Sequence, residues 1–280
     1  NTYNGFAILC AWAFISIIGE NYGFLNVDDV NIDSAGGDKL KIRDVFHIPV
    51  RNKEFILYTL KLVVFYFMLY LSAALTQAYM LKYLELSYTF ISAMTVMSSL
   101  VQIVVYPRWG KIGDERGHEW VMKVSIWFYV AQMALWACVF KGNMYVLIPV
   151  IYLISAIGGS GFAVSSFSTR YEIIPNKGFT MYDGFYSAVI GLALVLAPKV
   201  GGWIREILAD IQYIEKHIQF GELRILFAIS AVGILILQLH SQINNVRMKV
   251  KNMERSVLNI NFDKLNYLNC IYKIYYNVYR

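Results

Sequence analysis

Long uncharged blocks alternate with short charged segments along this chain. The four longest blocks contain between 20 and 28 residues and cover residues 62–81, 86–107, 142–169 and 225–246. A helix needs about 20 apolar residues to cross the hydrocarbon core of a bilayer. Backbone groups in lipid must pair within their own segment, so blocks of this length are predicted to be helices. The pattern therefore predicts an integral membrane protein with an all-α fold.

Seven membrane-spanning helices are predicted, separated by charged connections. They cover residues 3–22, 55–81, 88–107, 121–140, 145–168, 179–204 and 223–239. The sixth is the least clear, because Asp183 and Lys199 shorten its uncharged centre. Apolar positions between residues 204 and 218 recur at near-helical spacing among charges, which predicts a short amphipathic helix at the membrane interface.

Polar segments divide the chain into units. Residues 26–54 carry six acidic and five basic residues and are predicted to link two units. Residues 1–25 then belong to the unit before this linker, and residues 55–240 form the unit after it. Residues 241–280 are predicted to form a basic tail.

Basic residues are shared unevenly between the two sides of the predicted membrane. Of the 25 Lys and Arg residues, 18 lie on the side of the linker and the tail, and six lie on the opposite side. Basic loops stay in the cytoplasm, so we expect the linker and the tail to be cytoplasmic in a multi-pass protein of the plasma membrane. These loops account for the net charge of +6 without a nucleic-acid partner.

Residues that carry enzyme or metal chemistry are dispersed. Cys10, Cys138 and Cys270 are far apart, which indicates neither a disulfide framework nor a metal site. The four histidines are also scattered, and the sequence contains no glycine-rich phosphate-binding loop with its lysine. We therefore predict that the protein is not an enzyme and that it uses no cofactor and no metal.

The connection between the third and fourth predicted spans has a distinctive sequence. Residues 107–118 read Pro-Arg-Trp-Gly-Lys-Ile-Gly-Asp-Glu-Arg-Gly-His and include Gly110, Asp114, Arg116 and Gly117. This resembles the signature loop of the major facilitator superfamily, and the resemblance implies a cytoplasmic latch that opens during transport. Glycines permit close approach and a tight turn, and Asp114 is expected to face the positive end of a neighbouring helix.

A second element lies in the sixth predicted span. Pro198, Gly201 and Gly202 follow Ala197 in a segment that resembles the Gly-Pro-x-x-Gly-Gly element in the fifth helix of a facilitator half. Ala197 stands in place of the first glycine. Proline bends a helix, and the glycines let a second helix pack closely.

The resemblance covers nearly the whole chain up to about residue 240 and implies a fold. By this resemblance, residues 3–22 correspond to the sixth helix of a twelve-helix transporter. The six later spans correspond to helices seven to twelve, which form its C-terminal half. The missing N-terminal half is expected on the same polypeptide. Assignment of the six spans to the first half remains an alternative, although it leaves the first span and the linker unexplained.

Polar residues within the predicted spans are candidates for a solute cavity. The resemblance implies that residues 55–81 and 145–168 line a cavity near the middle of the membrane. The candidates are Lys61, Tyr66, Tyr70, Gln77, Gln102, Tyr152 and Ser155. The alternative is that they bond neighbouring helices, or, for Lys61, that its ammonium extends to the membrane surface.

Two further features allow more than one interpretation. Residues 155–161 contain three glycines and predict a close-packing surface rather than a pocket. Asp183 either helps to start the sixth spanning helix or carries a proton during transport.

The sequence thus favours a transporter that moves a small organic solute across a lipid bilayer by alternating access. The alternative is a seven-span receptor or sensor, whose topology also has an external N-terminus and a cytoplasmic tail. The 29-residue linker and the loop at residues 110–117 argue against a receptor.

Overall fold

The described part of the chain is built from helices. The computed structural model describes residues 2–25, 42–175, 178–210 and 221–241, and these residues contain no strand. The helices are α1 (Thr2–Leu25), α2 (Ile42–Arg51), α3 (Lys53–Tyr83), α4 (Tyr88–Arg116), α5 (His118–Cys138), α6 (Met144–Ile173), α7 (Phe179–Ala209) and α8 (Gly221–Ser241).

Six of these helices, α3 to α8, are long and apolar enough to cross a membrane, with 21 to 31 residues each. They confirm six of the seven predicted spans. Helix α1 contains a shorter apolar stretch, Cys10–Gly19, and its role as a span stays a prediction. Residues 1–41 and 42–280 form two separate units, so α1 is described by itself.

Short connections make successive spans antiparallel. Asn52, Gly117 and Gly178 lie at one end of the bundle, here named the basic end, while Glu85 and Lys141 lie at the opposite end. A salt bridge of 2.9 Å between the Lys141 ammonium and a Glu85 carboxylate oxygen joins two connections at that opposite end.

Helix α3 begins at a well-formed cap and is interrupted near its middle. The Asn52 side-chain oxygen accepts hydrogen bonds from the backbone amides of Glu54 and Phe55, each at 3.2 Å. Such a cap satisfies amides that have no partner within the helix. The α-helical hydrogen bonding stops after Ala73, and the helix ends in a π-helical turn at Tyr79–Tyr83.

Helices α4, α5 and α6 pack closely because α6 has small residues where they meet. Gly158 lies against the Phe128 side chain, and Gly161 lies against the side chains of Ser125 and Trp109. The Trp109 indole donates a hydrogen bond of 2.9 Å to the backbone oxygen of Ile157. The predicted close-packing surface at residues 155–161 is therefore confirmed.

Helix α8 packs through aromatic contacts. Phe227 is 1% exposed, and its ring stacks on that of Trp136 at 5.6 Å and lies 5.8 Å from that of Tyr79. Gln238, near the other end of α8, donates a hydrogen bond of 2.8 Å to the backbone oxygen of Lys123. These contacts attach α8 to α3 and α5.

We expect Phe227→Ala to lower the free energy of unfolding by about 2 kcal/mol. In water a Phe→Ala change in a core costs about 3–5 kcal/mol, but helices in lipid lack the hydrophobic part of this energy and retain the packing part. Ile229→Ala, on the same helix at 38% exposure, is the control and should stay within about 0.5 kcal/mol. Equal losses in thermal unfolding of the two variants would contradict the packing assignment.

Two helices run further than the sequence pattern predicted. Helix α4 continues past Pro107 to Arg116, so the predicted loop at residues 107–118 is largely helical. Helix α7 continues to Ala209 and includes Ile204 and Ile207, which were assigned to a separate interfacial helix. The uncharged blocks mark where lipid ends, whereas backbone hydrogen bonding continues into the aqueous region.

The end of the predicted linker is also helical. Helix α2 covers Ile42–Arg51 and packs against α7, with the Phe46 and Phe185 rings 6.1 Å apart. The linker residues 26–41 lie outside the described residues, as do residues 211–220 of the predicted interfacial helix and residues 242–280 of the tail.

Candidate functional site

A cavity of about 420 Å³ lies between α3, α6 and α7 and is here named the tyrosine cavity. Its polar groups are hydroxyls and one guanidinium: Tyr66, Tyr70, Ser166, Tyr186 and Arg170. Apolar side chains complete the wall: Ala163, Phe167, Ile190 and Leu194.

Arg170 lies in the last turn of α6 and is the charged residue of the tyrosine cavity. A cation is favourable there because the C-terminal end of a helix carries partial negative charge. The side chain is 15% exposed, and the central guanidinium carbon lies 4.4 Å from the centre of the Tyr186 ring. The rings of Phe167 and Tyr171, on α6 itself, lie at 5.6 and 5.7 Å from the same carbon.

Asp183 is the counter-ion of Arg170. One carboxylate oxygen, Oδ1, lies 3.4 Å from the Arg170 Nη2, which is an ion-pair distance. The two groups are not aligned for a hydrogen bond, and among the described residues neither Asp183 Oδ1 nor Arg170 Nε has a hydrogen-bond partner. Helix α7 begins at Phe179 after Gly178, so Asp183 is one turn too late to cap it, and the helix-start interpretation is wrong.

Tyrosine side chains from α3 and α7 lie close to Arg170 in this cavity. The Tyr186 hydroxyl is close enough to interact with both the Arg170 and Tyr66 side chains. The Tyr58 hydroxyl, on α3, donates a hydrogen bond of 2.6 Å to the backbone oxygen of Ser166, on α6. Helix α6 is thereby held to α3 directly beside the residues that line the cavity.

The structure brings two of the seven sequence candidates together in this cavity, Tyr66 and Tyr70. The others lie elsewhere. The Gln102 amide donates to the Ser98 hydroxyl one turn away at 3.3 Å, and the Tyr152 hydroxyl contacts the Met80 sulfur at 3.8 Å. Gln77 is exposed, and Ser155 is half-buried. Their assignment to the solute site stays a prediction.

Lys61 lines a different cavity, of about 340 Å³, at the basic end between α3, α5, α6 and α8. This cavity also contains Glu54, Glu119, Lys123 and Glu172, and the Lys123 ammonium lies 2.7 Å from a Glu119 carboxylate oxygen. Lys61 is exposed and lies two turns from the start of α3. Its position agrees with an ammonium that extends to the membrane surface.

Sequence reasoning missed Arg170, Ser166 and Tyr186 as cavity residues. The sequence alone predicts that Arg170 is a basic loop residue, because it directly follows the 28-residue uncharged block at 142–169. The available signal was its setting, since aromatic residues flank it at Phe167 and Tyr171. Rings at these positions indicate a guanidinium held against helices rather than one extended into water.

The side chains of Asp114 and Arg116 in the proposed latch contact residues of the same loop region. Gly117 separates α4 from α5 with φ +89°, a conformation that strains any residue with a side chain. Asp114, on α4, reaches His118, the first residue of α5, with its carboxylate 3.6 Å from the imidazole Nε2. The Arg116 guanidinium lies over the Trp120 ring at 5.1 Å, and Gly110 faces open space among the described residues.

The helix-bend element has one crowded glycine and one open glycine. Pro198 lies inside α7, and the preceding Ala197 is fully buried. A side-chain carbon at Gly201 would collide with the backbone oxygen of Leu71, where α3 approaches its interruption. At Gly202 nothing lies within 4 Å of such a carbon among the described residues.

The chain has relatives among membrane transporters. The tetracycline resistance protein, class H, of Pasteurella multocida is 26% identical over 138 residues, which are 49% of this chain and 34% of that protein. The multidrug transporter protein MdtP of Bacillus subtilis is 28% identical over 111 residues, which are 40% of this chain and 20% of that protein. An uncharacterized MFS-type transporter of Mycobacterium tuberculosis is 27% identical over 100 residues, 36% of this chain and 14% of that protein.

This chain therefore spans about a third or less of the length of the curated relatives that it matches. The family model described as Major Facilitator Superfamily matches residues 57–241, which include all six apolar helices apart from the first turn of α3. With its six-helix bundle and its polar cavity between α3, α6 and α7, the chain belongs to the Major Facilitator Superfamily of membrane transporters.

Proposed function

We propose that the protein is a secondary active transporter that moves a small organic solute by alternating access. This chain would supply the C-terminal half, with the N-terminal half on the same polypeptide. The plasma membrane is the proposed location, with the linker and the tail in the cytoplasm because of their basic residues. A facilitator-type transporter requires a six-helix half-bundle, whereas a seven-span receptor does not.

The tyrosine cavity carries the proposal. Its polar groups come from three different helices, α3, α6 and α7, and they converge on one space among apolar walls. Solute sites of this architecture lie at the interface between two repeats that rock against each other. The names of two relatives, a tetracycline resistance protein and a multidrug transporter, support an amphipathic organic solute.

Alternating access can be tested without knowing the solute. We expect Ser166→Cys to react with a membrane-impermeant thiol reagent from either face of the membrane, because an alternating cavity opens to both. The measurement uses the full-length protein, in which Cys10, Cys138 and Cys270 are replaced by serine, in intact cells and in inside-out vesicles.

The matched control is Ser165→Cys, at the next position on the same helix. Ser165 is fully buried and donates a hydrogen bond of 2.6 Å to the backbone oxygen of Gly161, whereas Ser166 lines the cavity. Labelling of Ser165→Cys should therefore be at least about tenfold slower from both faces. Labelling of Ser166→Cys from one face alone, under every ion gradient applied, would exclude alternating access at this cavity.

A further inference from the structure

The tyrosine cavity offers positive charge and hydrogen-bond donors to a ligand. Among its described lining residues one is cationic, Arg170, four carry hydroxyls, and none is acidic. We propose that this cavity selects an organic anion, with a carboxylate bound near the Arg170 guanidinium and a flat apolar body against the wall. The inference rests on the proposed function, because it names the class of solute for the same site.

The position of Asp183 leaves the charge of Arg170 available to a ligand. Asp183 does not line the cavity, and its Oδ1 is buried beside the guanidinium although the side chain as a whole is 38% exposed. The distance from Oδ1 to the Arg170 Nη2, 3.4 Å, is long for a charged hydrogen bond, which is usually about 2.7–2.9 Å. A guanidinium has five N–H donors, so Asp183 occupies only a small part of its capacity.

The donors of this guanidinium are incompletely satisfied. Among the described residues, Arg170 Nε is buried without a hydrogen-bond partner, while the ring of Tyr186 covers one face of the group. A buried N–H donor without a hydrogen-bond partner lowers the stability of the fold. The nearby Asp183 carboxylate offsets part of this cost electrostatically. The ion pair with Asp183 limits the positions that the guanidinium can adopt.

Tyrosine hydroxyls extend the donor set. The Tyr186 hydroxyl lies near the side chains of Arg170 and Tyr66 and can donate its proton to a ligand. Hydroxyls next to a cation are stronger donors toward an anion, because the positive charge polarises the O–H bond.

The apolar wall sets the shape of the ligand body. Phe167, Ile190 and Leu194 face the cavity, whose volume of about 420 Å³ lies within the usual range for small-molecule sites of about 300–1,000 Å³. A fused pair of aromatic rings is of suitable size to contact these side chains. The site is thus suited to a carboxylate on a flat aromatic body.

Three probes of similar size and different charge test this inference: naphthoate, naphthamide and naphthylmethylammonium. The measurement is the rise in Tm of the purified full-length protein on addition of each probe at neutral pH, since a ligand that binds the native state stabilises it. We expect naphthoate to raise the Tm, naphthamide to raise it much less, and the ammonium to have no effect.

Substitutions at Arg170 and Asp183 test whether the Arg170 guanidinium binds naphthoate. Arg170→Gln should weaken naphthoate binding by about tenfold or more, and Arg170→Lys should weaken it less, because lysine keeps the charge but loses the planar donor pattern. Asp183→Asn should strengthen binding, since it removes the competing anion. A purely structural Arg170–Asp183 pair predicts the opposite sign for Asp183→Asn.

The control is Lys61→Gln, which removes a positive charge from the other cavity and should leave naphthoate binding unchanged. Each variant is compared with and without probe, so a change in its own stability does not enter the result. Equal stabilisation by all three probes, or no stabilisation by naphthoate, would overturn the anion assignment. Thiol labelling of Ser166→Cys from both faces would still support transport in that case, so the two proposals fail separately.

Discussion

Gly201→Ala is expected to destabilise the bundle by about 3 kcal/mol or more. The new methyl group would collide with the backbone oxygen of Leu71, on the neighbouring helix α3. Overpacking usually costs about 1–3 kcal/mol, and a carbonyl cannot rotate away as a flexible side chain can. Relief would require α3 and α7 to separate, which would also disturb the contact between Phe55 and Tyr182, whose rings are 4.8 Å apart.

The control for this prediction is the adjacent glycine. Gly202→Ala places its methyl group in open space among the described residues, so it should be neutral or stabilising by up to about 1 kcal/mol through helix propensity. Both variants are compared by the apparent Tm of the full-length protein in detergent. Similar Tm values for the two variants would show that α3 and α7 do not approach at Gly201.

Asp114→Asn should reduce the rate of transport by about tenfold while leaving the fold intact, since a change of about 1.4 kcal/mol in a conformational equilibrium has this effect. The Asp114 side chain is 79% exposed, and surface substitutions usually change stability by less than about 0.5 kcal/mol. Its carboxylate faces the N-terminal end of α5 through His118, where a negative charge is favourable. Loss of the charge should weaken the latch in one of the alternating states.

The neighbouring residue provides a matched control. Glu115 is 61% exposed, and its carboxylate pairs with the Lys111 ammonium at 4.0 Å on the outside of α4. Glu115→Gln should therefore leave transport and Tm unchanged. The readouts are solute uptake into proteoliposomes and the ratio of Ser166→Cys labelling from the two faces. A normal rate and an unchanged labelling ratio in Asp114→Asn would make the latch assignment wrong.

Much of the fold was predictable because membrane insertion acts along the chain. Each span must satisfy its own backbone and match the thickness of the lipid, so six of the helices follow from the apolar segments along the chain. The glycines at residues 155–161 were also informative, because small residues in an apolar helix have few uses other than close packing. The extents of α4 and α7 were not predictable in this way, since lipid does not limit helices in water.

The candidate site was less predictable because it depends on which face of each helix meets its neighbours. Tyr66 and Tyr70 line the cavity, whereas Tyr152, an equally suitable residue by sequence, turns toward Met80. Lys61 was singled out as a charge in a span, yet the charge within the tyrosine cavity is that of Arg170. Sequence indicates which residues are polar but not the direction in which a helix presents them.

By itself, the sequence determined the membrane class, six of the long apolar helices and the family resemblance, because these depend on local composition and spacing. Only the tertiary structure decided that Arg170 meets Asp183 and Tyr186 beside Tyr66, and that Gly201 meets Leu71. Each of these contacts joins different helices, and 60 residues of chain lie between the end of α3 and the start of α6. Such contacts arise from the packing of preformed helices, which no local pattern records.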